Sequence, residues 1–315
     1  MNPKEFLMHH GRQLGTLFGL ILLCVIMWIL SPFFLTVSNF LNIAQQTSIN
    51  AIIAVGMTFV IITAGIDLSV GSILAFSGVV LARVLEIGLP VPLAILTGLF
   101  VGLLSGLVNG LLITYGRLPP FISTLGMMSV ARGAALLFTN GRPISGFSNL
   151  FRFLATGHIF YIPTPVVIMV IVYALAHFLL SRTKFGSYTY AIGGNEEAAI
   201  LSGVNVKLNK ALVYGLCGML SGLAAVILTA RLNSAQPIAG IMYELDAIAA
   251  TVIGGTSLMG GEGTILGTLI GAFIMGVLRN GLNILGVSSF IQQIIIGSVI
   301  IIAVLLDMAL KKQRK

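Results

Sequence analysis

The sequence predicts an all-α protein that crosses a membrane about ten times. Three observations carry that fold class. Of 315 residues, 57% are hydrophobic and 8% charged, whereas a soluble domain is about 45–50% apolar and about 25% charged. The apolar runs are continuous over about 20 residues, enough to cross a hydrocarbon core, and do not alternate over roughly 10 as barrel strands do. Lys and Arg gather at the ends of those runs. A soluble domain is thereby excluded. The 37 glycines and 10 prolines follow no collagen period, which excludes a fibre. The net charge of +8 reflects loop cations, which membrane proteins concentrate on the cytoplasmic side, and not a nucleic-acid surface.

The expected spans are 16–36, 43–63, 68–85, 91–114, 120–139, 163–181, 211–230, 245–259, 263–285 and 288–309. The first has a basic flank (Lys4, Arg12) but no small-residue cleavage site after it, so it reads as an uncleaved anchor. Ten spans put both termini on one side. That side carries Lys4, Arg12, Arg117, Arg182, Lys184, Lys207, Lys210, Lys311, Lys312, Arg314 and Lys315. Arg83, Arg142, Arg152 and Arg231 fall opposite, and Arg132 and Arg279 lie within spans. The bias places both termini in the cytoplasm. Residues 183–210 become one long cytoplasmic loop. Residues 140–162 become the longest external loop, with Gly141, Pro143, Gly146 and Gly157 as turn formers.

The chain echoes itself. Gly98, Gly102, Gly106 and Gly110 precede Leu111-Leu112-Ile113. Gly263, Gly267, Gly271, Gly276 and Gly281 precede Leu282-Asn283-Ile284. Each run follows a span that opens near an acid, Asp67 or Asp246. The pattern pairs residues 43–139 with 211–309 as repeats, and their opposite directions make them inverted, an arrangement common in transporters. Small residues at every fourth position let helices approach closely, so packing is the first reading of these glycines.

Charges at membrane depth cost on the order of 2.5–3.5 kcal/mol, so each needs a reason. Arg132 either lines a wet cavity or pairs with Asp67 or Asp246. Asp67 reads first as a helix cap. Asn50, Asn109, Asn280, Asn283, Gln292 and Gln293 either tie helices together or offer hydrogen bonds to a hydroxylated solute. With Asp67, Arg132 and Asp246, the asparagines form the candidate pathway set. Asp67, Glu86, Glu244, Glu262 and Asp307 fall at span ends and only Asp246 reads as deeper, so a driving force supplied from outside the chain fits better than a proton relay within the spans. No Gly-Lys dipeptide exists, hence no phosphate-binding P-loop. No Ser-His or Asp-Asp pair sits in matched spans, which argues against an intramembrane hydrolase. Cys24, Cys217, His9, His10, His158 and His177 show no metal-ligand spacing. The chain is expected to be neither enzyme nor metalloprotein.

In the cytoplasmic loop, Gly193-Gly194 forms a turn. Asn195 caps a short helix whose first turn holds Glu196 and Glu197, and Gly203 ends it. Two helical turns are marginal alone. The apolar run Ala198 to Leu201 must dock on the protein's own helix ends or in a partner's groove.

Glu197-Ala198-Ala199-Ile200-Leu201-Ser202-Gly203 resembles the first half of the coupling motif of ABC importer permeases, without the Ile-x-Leu-Pro that usually follows. Longer stretches resemble the branched-chain/monosaccharide permease family over about 30–310. They are Gln45-Gln46-Thr47-Ser48, Gly65-Ile66-Asp67-Leu68-Ser69-Val70-Gly71-Ser72, Ala191-Ile192-Gly193-Gly194-Asn195-Glu196, Ser234-Ala235-Gln236-Pro237, Tyr243-Glu244-Leu245-Asp246-Ala247-Ile248-Ala249-Ala250 and Gly254-Gly255-Thr256-Ser257-Leu258. The resemblance implies a vitamin-B12-permease-type fold and a bacterial inner-membrane importer subunit. It implies ribose as the first cargo, with another sugar or an autoinducer-like furanose as the alternative. It further implies a second permease copy with the pathway between the two, a cytoplasmic ATPase using ATP and magnesium, and a periplasmic or lipid-anchored sugar-binding protein. Asn195, Glu196, Glu197, Ala198, Ala199 and Gly203 are then the coupling residues. The rival class is an ion-coupled secondary carrier.

Overall fold

A computed structural model describes residues 3–312, with side chains described over 14–305 and at 308. Lys4, Arg12, His9, His10, Asp307 and the tail cations lie outside the described side chains.

In chain order the first half is α1 (Pro3–Leu30), α2 (Val37–Ile62), α3 (Val70–Glu86), α4 (Val91–Thr114) and α5 (Pro120–Thr139). A connecting segment follows: β1 (Ile144–Ser145), α6 (Asn149–Thr156), β2 (His158–Ile159), β3 (Ile162–Pro163), α7 (Thr164–Arg182), α8 (Lys184–Gly194) and α9 (Glu196–Leu201). The second half is α10 (Val206–Leu232), β4 (Ser234–Ala235), α11 (Tyr243–Ile253), α12 (Ile265–Ile284) and α13 (Ser289–Lys312). Among the described residues, six helices (α2, α4, α5, α7, α10 and α12) are long and apolar enough to cross a membrane. Shorter apolar stretches occupy Leu14–Leu30 and Ser289–Leu305.

Each of the ten expected spans overlaps a helix, and 91–114 and 120–139 match to the residue. Prolines set those two starts: Pro90 and Pro119 stand at the N-caps, Pro92 and Pro120 in the first turns, where a missing N–H costs nothing. Three expectations need correction. The first span ends at Leu30 and not at 36, because Ser31-Pro32 breaks the helix. The second helix begins at Val37 and not at 43: Thr36 Oγ1 accepts from the Asn39 amide at 3.3 Å, starting a polar turn that hydropathy does not see. The eighth span, 245–259, is an 11-residue helix, Tyr243–Ile253. At 1.5 Å per residue that is about 16 Å, roughly half a bilayer core.

The loops are also more built than expected. Within 140–162, β1 pairs antiparallel with β4, α6 forms on a Ser148 cap, and β2 pairs with β3. The expected loop 183–210 holds two helices, α8 and α9, and the first turn of α10. Gly193 and Gly194 end α8 and do not form a free turn.

α2 and α10 form the centre, with most of their residues buried. α4 lies along α10 through its glycines. A Cβ on Gly102 would strike the Gly218 carbonyl, one on Gly106 the Tyr214 carbonyl, and one on Gly110 would sit 2.6 Å from Ala211 Cα. In the second half, Gly267 and Gly271 press on the α11 end at Gly254 and Ala250, and Gly276 on Thr47 of α2. The glycine periodicity is therefore packing surface, as the small-residue rule requires.

Candidate functional site

α3 and α11 are the two shortest of the helices that overlap the expected spans, and their N-termini meet inside the bundle. A Cβ on Gly71 would collide with the Gly240 carbonyl, and one on Gly240 (φ +72) with the Gly71 carbonyl. The depth follows from α10. Gly78 of α3 meets Thr229 and Ala225, and Gly65 before α3 meets Tyr214, so α3 starts alongside the middle of Val206–Leu232. Two non-helical segments, 63–69 and 233–242, thus reach the bundle interior. Irregular backbone at such depth is tolerated only where protein or a wet cavity covers it.

Arg132 covers the second segment. Its Nη1 donates to the carbonyls of Pro237 and Ala239, each at 2.7 Å. Neither expected carboxylate, Asp67 or Asp246, is its partner. A guanidinium satisfies two carbonyls at once because it offers several donors and no acceptor.

Asp67 secures the first segment. Its Oδ1 accepts from the Ser69 amide at 2.9 Å and the Ser69 hydroxyl at 2.5 Å. The N-cap position itself is Ser69, so Asp67 braces the capping residue and is not the cap. Asn109 donates to Ser69 Oγ at 2.9 Å, and Ser123 donates to Asn109 Oδ1 at 3.4 Å. All four side chains are buried. This network ties α3, α4 and α5 together.

A second polar cluster joins α2, α11 and α12. Arg279 Nη2 donates to both oxygens of Asp246, at 2.9 and 2.8 Å, and Asn50 donates to Asp246 Oδ2 at 3.1 Å. Gln46, Thr47 and Gly276 complete the walls of a small cavity here, of about 40 Å³. The Asp246 side chain is buried, whereas that of Arg279 is 42% exposed. Asn50 Oδ1 and Thr47 Oγ1 are buried without a hydrogen-bond partner. Gln46 and Asn283 are exposed close by in sequence on α2 and α12. Arg279 was missed as a site residue in the sequence; its place within a span opposite an unassigned acid was the available signal.

The remaining candidates act as ties. Asn280 donates to Asn39 Oδ1 at 3.0 Å, and Asn283 Oδ1 accepts from Gln292 at 2.8 Å. The pathway set is therefore two clusters, two separate ties and one isolated clamp, not a single constellation.

In the segment before α10, α9 has the expected cap: Asn195 Oδ1 accepts from the Ala198 amide at 2.9 Å. Glu196 pairs with Lys210 at 2.5 Å, and Gly203 ends the helix at φ +82. The apolar run divides. Ala199 is buried at 4%, packed with Ile192 and Val206, so it docks on the protein's own helices and not in a partner. Leu201 is 89% exposed and Ile200 is 56% exposed. Glu197 and Ala198 are also exposed.

The chain matches the family described as branched-chain amino acid transport system / permease component over residues 39–304. It is 54% identical to the ribose import permease protein RbsC of Bacillus subtilis (strain 168) over 298 residues, 94% of this chain and 92% of that protein. To the protein of that name from Escherichia coli (strain K12) it is 52% identical, covering 93% and 92%. To the D-allose transport system permease protein AlsC of the same strain it is 42% identical, covering 95% and 92%. No solved structure matches the chain.

Proposed function

The chain belongs to the family described as the permease component of the branched-chain amino acid transport system, a non-catalytic membrane subunit, and from that premise we propose that it is the permease of an ATP-driven ribose importer. Identity above half over nearly the whole of two ribose permeases supports ribose as the cargo; the more distant D-allose relative makes a related sugar the second reading. A cytoplasmic ATPase supplies energy from ATP and magnesium, and a sugar-binding protein delivers the substrate. The subunit sits in the bacterial inner membrane with both termini in the cytoplasm, crosses it ten times, and works as a pair. The proposed halves, 43–139 and 211–309, trade contacts as inverted repeats would. α4 packs on α10 while its counterpart α12 packs on α2, and α3 meets α11 head to head.

One observation carries the pathway. Arg279 keeps a substantially exposed guanidinium, held by buried Asp246, on a helix long enough to span a membrane. Against hydrocarbon such a group is expensive. Facing a second copy across a wet path, it is solvated and meets sugar hydroxyls. Exposed Gln46 and Asn283 extend the same polar face.

The test is ribose uptake by vesicles holding permease, ATPase and binding protein. Arg279→Lys, which keeps a cation beside buried Asp246 so that the assembly survives, should lower uptake at least about tenfold, on the scale of a charge-assisted hydrogen bond of about 1.5–3 kcal/mol lost. Unchanged uptake would remove this face from the path.

A further inference from the structure

A cleft of about 560 Å³ opens beside the docking helix. It lies between the ends of α4 and α5 and the start of α10, with α9 as its outer wall. Three cations line it, Arg117, Lys207 and Lys210, against one acid, Glu196. Glu196 is already paired with Lys210, so two positive charges remain uncompensated. Both are exposed. Lys207 is held over the Tyr115 ring, 5.2 Å from its centroid. Arg117 sits at φ +56, a left-handed conformation uncommon for a residue with a Cβ. Apart from Thr114 and Asn205 the rest of the lining is apolar, chiefly Leu118, Pro119 and Pro120 where α4 passes to α5, Ile113 from α4 and Val206 from α10. These residues are the termini of membrane helices, where hydrocarbon gives way to headgroups.

Basic charge over an apolar wall at that level is the chemistry of an anionic amphiphile. We infer that the cleft formed by Arg117, Lys207 and Lys210 over Ile113, Leu118 and Pro120 binds the headgroup of an anionic phospholipid of the cytoplasmic leaflet. Its cations neutralise the phosphate, and its apolar wall takes the first part of the acyl chains. Basic pockets between helices on the cytoplasmic side suit such headgroups. A protein partner is the less fitting occupant. The most exposed apolar residue of the docking helix, Leu201, is not in the cleft wall, so the partner-facing surface and the cleft are different faces of α9. Glu196 and Ile200 of α9 do line the cleft, which puts the bound headgroup against the helix that carries the expected coupling residues. The inference rests on the orientation proposed above.

The experiment is native mass spectrometry of the full-length permease in detergent. It is titrated with phosphatidylglycerol, cardiolipin or phosphatidylcholine, and separately with inorganic phosphate. Wild type should retain the anionic lipids over phosphatidylcholine. Arg117→Gln with Lys207→Gln should weaken that retention by on the order of tenfold or more, at roughly fivefold per surface charge. Both residues are exposed, so the variant should fold, checked by its melting temperature. Arg182→Gln with Lys184→Gln, exposed cations outside the cleft, should leave retention unchanged. Millimolar phosphate should not displace the lipid. Equal retention of all lipids, retention kept by the Arg117/Lys207 variant, or displacement by phosphate would each overturn the proposal. So would a variant that keeps the lipid yet releases the ATPase, which would mark the cleft as a protein surface. Sugar transport enters none of these readouts, so failure here is separate from failure of the ribose reading.

Discussion

Arg279 holds both carboxylate oxygens of Asp246, at 2.9 and 2.8 Å, across the α11–α12 contact. The acid is buried and the base is half in the open. That asymmetry sets the sign of a mutational comparison. Arg279→Leu strands a buried carboxylate and should cost about 3–5 kcal/mol. Asp246→Asn leaves a guanidinium that reaches solvent and keeps the amide contact with Asn50, so it should cost about half that or less. Thermal unfolding in detergent checks the order; equal losses would mean that the carboxylate is solvated.

Gly71 and Gly78 lie on the same helix and should respond differently to alanine. The new methyl at 71 meets backbone, the Gly240 carbonyl, which cannot move without shifting a whole segment. At 78 it meets the Thr229 hydroxyl at 3.1 Å and the Ala225 methyl at 3.8 Å. Gly71→Ala should cost about 2 kcal/mol or more, and Gly78→Ala about 1 kcal/mol or less, given that overpacking typically costs about 1–3 kcal/mol. The melting temperatures of the two variants decide, and equal values would contradict the close approach.

Arg132 serves carbonyls, not a carboxylate. Arg132→Leu should therefore lose about 1.5–3 kcal/mol, the range for hydrogen bonds to a charged group. The loss should add to that of Asp246→Asn, since sites without shared partners are independent. A coupling energy above about 1 kcal/mol in the double-mutant cycle would restore the ion-pair reading.

If α9 docks the ATPase, as the resemblance implies, neighbouring residues on it divide the labour. Leu201→Arg, at an exposed position, should leave expression intact and release the ATPase on co-purification. Ala199→Arg, at a buried one, should lower the amount of folded protein before any partner is added, because it forces a charge among Ile192 and Val206. Retention of the ATPase by Leu201→Arg would move the docking surface elsewhere.

Continuous apolar runs made most helices legible, and prolines at Pro90 and Pro119 fixed two starts to the residue. The failures have physical causes. α8 reads KFGSYTYAIGG, with three glycines and no apolar stripe, and is held by packing and by the Tyr190 hydroxyl donating to the Gly263 carbonyl at 2.6 Å. Hydropathy counts residues and not direction, so it merged α11 with the glycine turn that follows and hid a half-length helix. The polar candidates were identifiable singly; their partners were not. Arg132 found carbonyls about a hundred positions away, and Asp246 found Arg279, because pairings across helices depend on packing that sequence spacing does not encode. For Ala199 and Leu201, a helix of six residues gave no period long enough to assign faces.

The most direct test of the central claim is labelled ribose uptake into proteoliposomes loaded with ATP and magnesium. Permease alone is compared with permease plus its ATPase and external binding protein. A chain that supplies a polar path but no P-loop should give uptake only in the complete assembly and none alone, even under an imposed proton or sodium gradient. Ribose accumulation by the permease alone would contradict the account.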